Sequence, residues 1–274
     1  VPETDELLLG LIGYPLGHSL SPALHEFLMS AIQRRGRYEL FETPNDCLGE
    51  TIQILKSRSA GGFNVTIPHK QAVIAHLDEV SEDAQLIGAV NTVTVRNNHL
   101  VGFNTDGIAF KRVLEMKGIE INGKTAMVLG AGGGARAIVL YLIRGGVQKI
   151  FLFNRSAARA DQLASFFLKT AGHQNIFTGP LNKEAVTSAL PSAQLIINAT
   201  PLGMWPHVDQ LPYQFNFDAS NHIAVDLVYN PLVTRFLQSA RAAGAAIVDG
   251  LDMFIFQGIE AMKIWTGENL SPVD

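Results

Sequence analysis

Thr125-Ala-Met-Val-Leu-Gly-Ala-Gly-Gly-Gly-Ala135 is the stretch on which the fold turns. An apolar strand, Thr125–Leu129, runs straight into a glycine loop, and an apolar helix follows to about Ile143. Gly130-Ala-Gly-Gly-Gly-Ala135 fits the pattern GxGxxA. Gly130 permits the tight turn, Gly132 lets the backbone approach a pyrophosphate, and the small Ala135 allows close helix packing. Ala131, Gly133 and Gly134 complete the loop, whose amides at the helix start attract phosphate together with the helix dipole. A glycine-rich turn alone can be merely structural. Here a strand precedes it, a helix follows, and a second strand, Lys149–Phe153, lies in range, so the unit reads as βαβ and as dinucleotide-binding.

The second strand of such a unit normally ends at an acidic residue that bonds the ribose. This chain has Asn154-Arg-Ser-Ala-Ala-Arg159 instead. Arg155 and Arg159 suit a 2′-phosphate through forked, charge-assisted hydrogen bonds. Each such bond contributes roughly 1.5–3 kcal/mol, so two would favour NADP by about a hundredfold or more. Taken alone, the pair is equally two solvated arginines at a helix start; its place after the second strand points to NADP.

Outward from this unit the chain alternates strand and helix in both directions. Leu7–Ile12 reads as a buried parallel strand. A Gly/Pro/Ser-rich turn follows, then a helix with Ser21 as N-cap, Pro22 at its first position, and Leu24, Phe27, Leu28, Ala31 and Ile32 at helical spacing. Asn45 opens a helix with Leu48, Ile52 and Leu55 as its buried stripe. Phe63–Thr66 is a strand stopped by Pro68. Asn91–Val95 and His99–Phe103 flank Asn97-Asn98, a hairpin turn. Asp106 opens a further helix carrying Phe110, Val113 and Leu114. Beyond the second βαβ strand come a helix through Leu168, strands Leu195–Asn198, Ile223–Leu227 and Ala245–Val248, and a last helix Leu251–Trp265 with Phe254, Ile255, Ile259 and Met262 on one face. The expected architecture is α/β with two domains joined near residues 104–123. Residues 1–105 with 250–274 form an N-terminal α/β substrate domain, and 106–249 a Rossmann-type domain.

Composition narrows the function classes. The chain has 274 residues, 47% hydrophobic and 17% charged, which argues against disorder. The longest apolar run, Ala137–Ile143, is far short of the roughly 20 residues a bilayer span needs. The acidic start Val1-Pro-Glu-Thr-Asp5 lacks a signal-peptide pattern. Cys47 stands alone, so no internal disulfide forms and a reducing, cytoplasmic compartment is expected. A net charge of −4 without a basic block makes nucleic acid an unexpected partner. Eight scattered histidines, with no HExxH and no Cys/His pairing, give no metal site. A small molecule is the expected partner, and a monomer or a homodimer is equally compatible.

Several short motifs then combine: Gly17-His-Ser-Leu-Ser-Pro22, Asn64-Val-Thr-Ile-Pro-His-Lys70, Gly88-Ala-Val-Asn-Thr92, Asn104-Thr-Asp-Gly107, Asn198-Ala-Thr-Pro-Leu-Gly-Met204, Asp226-Leu-Val-Tyr-Asn-Pro231 and Gly250–Gln257. This ordered set closely resembles the shikimate dehydrogenase family, from about Gly10 to Gln257. The resemblance implies reversible reduction of 3-dehydroshikimate with NADPH, on the path to aromatic amino acids. It assigns Ser19 and Ser21 to the carboxylate of shikimate, with Tyr229 as a further partner there. Read from chemistry alone, two hydroxyls beside a helix N-terminus make a small anion site. The plainer alternatives are that Ser21 serves only as a cap and that Tyr229 only bonds backbone.

By the same resemblance Lys70 and Asp106 are the catalytic pair. Hydride arriving at a ketone carbon puts negative charge on oxygen, which an ammonium can stabilise and protonate. Asp106 pairs with Lys70 and orients a substrate hydroxyl. Without the flanking motifs, Lys70 reads as a solvated surface lysine and Asp106 as a helix cap. Asn64, Thr66, Asn91 and Gln257 offer amides and a hydroxyl to the ring hydroxyls of a small polyol, Asn91 and Gln257 foremost by family analogy. The alternatives are that Asn91 satisfies neighbouring backbone and that Gln257 faces solvent. Thr200 and Met204 follow a strand, where an α/β sheet opens its ligand crevice, with Gly250 expected near the nicotinamide; Met204 could equally be core. His18 and His69 hold no catalytic position, and the loop Trp205–Asp218 has no assigned role. Hydride transfer is expected between the two domains, with domain closure bringing cofactor and substrate together. Quinate or dual quinate/shikimate oxidation is the near alternative, and a catalytically silent ligand sensor on the same scaffold the distant one.

Overall fold

The structure, a computed structural model, describes residues 6–268 and Leu270. Val1–Asp5, read above as an acidic start, lies outside the described residues. The chain divides into two compact units, Val1–Ala109 with Ile255–Asp274, and Phe110–Phe254. The changeovers fall inside helices, at Ala109 and at Phe254.

The first unit runs β1 (Leu7–Gly13), α1 (Ser21–Ala31), β2 (Gly36–Glu42), α2 (Leu48–Ser57), β3 (Gly62–Val65), β4 (Glu79–Val80), α3 (Glu82–Ile87), β5 (Thr92–Arg96), β6 (His99–Phe103) and the start of α4 (Asp106–Met116). Its sheet has the order β2-β1-β3-β5-β6-β4. β1 lies parallel to both β2 and β3, while β5 is antiparallel to β3 and to β6. The β5–β6 turn is Asn97-Asn98, both at positive φ, the conformation an Asn-Asn hairpin turn needs. Residues alternate across the sheet. One face carries Leu8, Ile12, Phe63, Val65 and Val93 into a core completed by Leu48, Ile52 and Leu55 of α2. Burying each such side chain contributes roughly 1.5–3 kcal/mol.

The opposite face is more polar and decides how α1 sits. The buried residues of α1 are Ser21, His25, Leu28 and Met29; of the expected stripe of Leu24, Phe27, Leu28, Ala31 and Ile32 only Leu28 is buried, and Phe27 is 66% exposed. Both sets have helical spacing; the helix turns its mixed set down because the strands beneath present Tyr38 and Asn64 beside Leu9 and Leu11. The helix also has no side-chain cap. Leu20 occupies the capping position, and the hydroxyl of Ser19 accepts from the Ser21 N–H at 3.2 Å. Strand β2, unforeseen in the sequence, is an edge strand whose alternating Arg37 and Glu39 masked its pairing with β1.

The second unit contains β7 (Thr125–Leu129), α5 (Gly133–Arg144), β8 (Lys149–Asn154), α6 (Ala157–Ala171), β9 (Ile176–Pro180), α7 (Lys183–Ala189), β10 (Leu195–Asn198), β11 (Ile223–Asp226), α8 (Arg235–Ala242) and β12 (Ala246–Val248). The last helix, α9 (Leu251–Thr266), begins here and ends in the first unit. All six strands are parallel, in the order β12-β11-β10-β7-β8-β9. Read from β9 this is the doubly wound order, reversing between β7 and β10. Every residue of β7 and of β10 is buried, as expected of central parallel strands. The short β9, α7 and α8 had too few apolar residues to be read from sequence. The loop Trp205–Asp218 gains a role: Tyr213, Phe215 and Phe217 join Phe236 in an aromatic cluster over the sheet.

α9 is not one-faced. Met253, Phe256, Ile259, Ala261, Met262 and Trp265 are all buried, while Phe254 and Ile255 are only partly so. In the first unit its Trp265 donates its indole N–H to the carbonyl of Val93 at 2.9 Å. The indole fills the space a side chain on Gly62 would take, since a Cβ there would lie 2.2 Å from its Nε1.

Candidate active site

In the first unit the Lys70 ammonium donates to the Asp106 carboxylate at 2.5 Å, with side chains 16% and 8% exposed. Asp106 is the first residue of α4, and its N–H donates to Asn104 Oδ1. Lys70 follows the β3 loop, where the His69 ring contacts the Thr43 carbonyl at 2.6 Å and pins the backbone. That contact makes His69 a structural residue of the loop. The second carboxylate oxygen of Asp106 accepts from Asn91 Nδ2 at 2.8 Å.

Asn91 is spent internally. Its amide also donates to Thr105 Oγ1, and its carbonyl accepts from the Thr105 N–H and from the Thr92 hydroxyl. An amide has two donor hydrogens, and both are used, so a ligand hydroxyl would have to replace one of these bonds. Asn64 is similarly engaged: it donates to the backbone carbonyl of Asn91 and to Thr92 Oγ1, and accepts from the Tyr38 hydroxyl at 2.8 Å. Thr66 lies just past β3, half-buried, and Gln257 lies half-buried on α9. Ser19 is half-buried in the β1–α1 turn and Ser21 buried at the start of α1. Sequence reasoning missed Tyr38, Thr92 and Thr105, which hold this network. Only Thr92 and Thr105 lie within motifs that were singled out.

The second unit gathers the glycine loop at the switch point of its sheet. Gly130 has φ +107°, and a Cβ there would lie 2.9 Å from the Ala199 carbonyl and 3.0 Å from Thr200 Cγ2. The glycine loop and the Thr200 loop are therefore in contact, one leaving β7 and the other β10. α5 starts with no side-chain cap and no acidic residue in its first turn. A Cβ on Gly132 would meet nothing within 4 Å, which leaves the approach to the helix start open, while Ala135 is fully buried against the sheet. Asn154 ends β8 and donates to the Ser156 carbonyl at 2.9 Å. The side chains of Arg155 and Arg159 are exposed and form no ion pair with another described residue. Uncapped amides, a small-residue loop and two uncommitted guanidiniums fit a dinucleotide phosphate, including a 2′-phosphate.

Nearby, Asn198 organises the Thr200 loop, accepting from the Thr200 N–H and hydroxyl and donating to Asp226 at 2.9 Å. Asp226 also accepts from the Val228 N–H and the Thr234 hydroxyl. Burial pushes its carboxyl up to about 7, against the opposing pull of Thr234, Val228 and Asn198. Tyr229 stacks on Phe254 with centroids 4.1 Å apart. Gly250 is buried where β12 passes into α9, packed on the carbonyls of Leu227 and Val228. Met204 is 40% exposed, so the core reading of that residue does not hold.

A doubly wound unit with an open glycine loop, in one chain with a lysine–aspartate pair, defines the class as a nicotinamide-dependent oxidoreductase. Comparisons with known proteins give the family. Residues 11–93 match the model "Shikimate dehydrogenase substrate binding domain", and residues 112–221 match "Shikimate / quinate 5-dehydrogenase". The NADP(+) shikimate dehydrogenase of Bacillus cytotoxicus is 40% identical over 95% of this chain and 92% of its own length. Among solved structures, shikimate 5-dehydrogenase from Thermus thermophilus, in complex with NADP(H) and shikimate, is 38% identical, covering 97% of this chain and 96% of that one at a TM-score of 0.82. Quinate dehydrogenase from Corynebacterium glutamicum, in complex with NAD, is 33% identical over 96% and 95% at a TM-score of 0.84. The chain belongs to the shikimate dehydrogenase family.

Proposed function

We propose that this chain catalyses the reversible NADP-dependent reduction of 3-dehydroshikimate to shikimate, with Lys70 and Asp106 as its proton-transfer and substrate-orienting pair. The observation that carries the reading is the 2.5 Å Lys70–Asp106 contact, partly buried, in a chain whose other unit presents an open dinucleotide loop. Bound as NADPH, the cofactor supplies the hydride. Gly130, Ala131, Gly132, Gly133, Gly134 and Ala135 cradle its pyrophosphate, and Asn154, Arg155 and Arg159 receive the phosphorylated ribose. Thr200, Met204 and Gly250 serve the nicotinamide end.

On the substrate side, negative charge grows on the carbonyl oxygen as the carbon is reduced. The Lys70 ammonium stabilises that charge and gives up a proton, while Asp106 holds the ammonium and one ring hydroxyl in place. Ser19 and Ser21, with Tyr229, take the carboxylate. Thr66 and Gln257, with Asn64 and Asn91, take the ring hydroxyls. The substrate is a small molecule, and the reducing cytoplasm suits the lone, partly exposed thiol of Cys47.

An absorbance assay of shikimate or quinate, each with NADP or NAD, tests the reading. Shikimate with NADP is expected to be fastest, and Lys70→Ala to lower its turnover by about 10³-fold. Quinate with NAD fastest would overturn the roles given to Ser19, Ser21 and the two arginines. No turnover with any pair, with shikimate still bound, would leave a ligand sensor.

A further inference from the structure

We infer that Tyr38 is a positioning residue for this reaction, acting through a one-way hydrogen-bond relay that, together with the Thr105 N–H, holds Asn91 against Asp106. The inference rests on the proposed roles of Lys70 and Asp106. The direction of the relay follows from its inner end. An ionised carboxylate only accepts, so Asn91 must turn its NH2 group toward Asp106 Oδ1, at 2.8 Å. Asn91 Oδ1 then faces Thr92, whose hydroxyl donates to it at 2.9 Å. Having given its only proton inward, that hydroxyl accepts from Asn64 Nδ2 at 3.0 Å. Asn64 Oδ1 is left facing Tyr38, which donates at 2.8 Å.

Tyr38, Asn64 and Thr92 lie on one face of the first sheet, and Asn91 immediately precedes β5. Asn64 on β3 is in register with Thr92 on β5, and with Leu11 of β1 on its other side. Tyr38 on β2 reaches diagonally over β1 to Asn64. Tyr38, Asn64, Asn91 and Thr92 are at most 5% exposed, so water cannot replace a lost link without entering the core. Without the phenol, Asn64 Oδ1 is a buried acceptor left unsatisfied, and the amide, still tied through Nδ2 to the Asn91 backbone carbonyl, shifts and weakens its bond to Thr92.

A second observation shows how the phenol is held. His25 of α1 is fully buried and lies face to face with Tyr38, centroids 4.4 Å apart and planes 8° apart. Trp265 packs against His25 as well, centroids 5.3 Å apart and planes tilted by 55°. Burial pushes the imidazole down to about 3, with Asn64 near enough to oppose this only weakly, so the ring is neutral. It serves as a flat wall fixing the plane of Tyr38.

The test compares Tyr38→Phe, Thr92→Val, their double variant and Thr92→Ser. Tyr38→Phe is expected to lower kcat about tenfold, the equivalent of one hydrogen bond, with KM for NADP unchanged. The double variant should be no slower than the slower single, because both cut one relay; Thr92→Ser should restore the rate that Thr92→Val loses. Unchanged kcat in Tyr38→Phe, or losses that multiply in the double variant, would overturn the proposal. Should Tyr38→Phe fail to fold, the Thr92→Ser and Thr92→Val comparison reads the same relay one link further in. Side-chain amide NMR keeps the test independent of substrate. Tyr38→Phe should shift the NH2 signals of Asn64 and Asn91 together, and a shift at Asn64 alone would break the relay even were shikimate not the substrate.

Discussion

The two units carry their candidate functional residues in opposite ways. In the first unit, Lys70, Asp106, Asn91 and Asn64 are engaged with one another, and both amide hydrogens of Asn64 and of Asn91 are already spent. In the second, the glycine loop and the two arginines are left open: α5 is uncapped, and Arg155 and Arg159 have no ion partner among the described residues. A group that must hold a precise direction for proton transfer is best fixed beforehand by neighbours. A group that binds a multiply charged phosphate gains from being uncommitted until the charge arrives.

The largest effect separates the halves directly. Lys70→Ala should remove about 10³-fold of turnover while NADP affinity, measured by titration, stays as in the parent; a parallel loss of NADP affinity would break the division of labour. Replacing both Arg155 and Arg159 by alanine should weaken NADP by about a hundredfold and leave NAD nearly unchanged. Equal weakening of both dinucleotides would show the arginines supporting the loop rather than reading the 2′-phosphate.

Gly130→Ala sharpens the comparison further, because it tests a backbone feature. Its φ of +107° and the 2.9 Å approach to the Ala199 carbonyl leave no room for a methyl. A loss of about 1–3 kcal/mol in stability should accompany weaker NADP binding, seen as a lower thermal midpoint and a raised Kd. Normal stability and affinity would mean the loop relaxes freely.

The smallest effect concerns Asp226, the one strongly perturbed carboxyl among the described residues of the second unit. Its folded-state pKa of about 7 lies above the ordinary 3.8. The folded state therefore holds the proton more tightly between those values. This contribution to stability is complete below about pH 4 and is lost as pH rises toward 7. Asp226→Asn, neutral throughout, should remove that slope. Thermal midpoints of the two proteins should draw apart between about pH 4 and 7, the parent falling relative to the variant. Parallel curves would mean that the three donors around Asp226 keep it ionised.

The cofactor half was the more legible in the sequence. Strand, loop and helix are contiguous from Thr125 to Ile143, and the reason for each glycine is local backbone geometry. Arg155 and Arg159 follow from the next strand in the same unit. The substrate half was legible only through motifs scattered from Ser19 to Gln257. Its supporting residues come from strands brought together by pairing, and Tyr38 sits on an edge strand whose charged neighbours hid it. The face of α1 was misread for the same reason: periodicity identifies a helix, but the helix chooses its buried face by what lies beneath it.

By itself, then, the sequence determined the α/β class, the doubly wound unit with its dinucleotide loop, and the identity of Lys70 and Asp106 as the pair to watch. The first two rest on local conformational rules, which act between near neighbours in the chain; Lys70 and Asp106 were marked by the resemblance of their flanking motifs to the family. Only the tertiary structure decided which amide donates to which oxygen, that His25 stacks on Tyr38, and that Asp226 is buried among three donors. Hydrogen-bond direction and desolvation depend on groups far apart in sequence, and they take definite values only once the sheets have set those groups side by side.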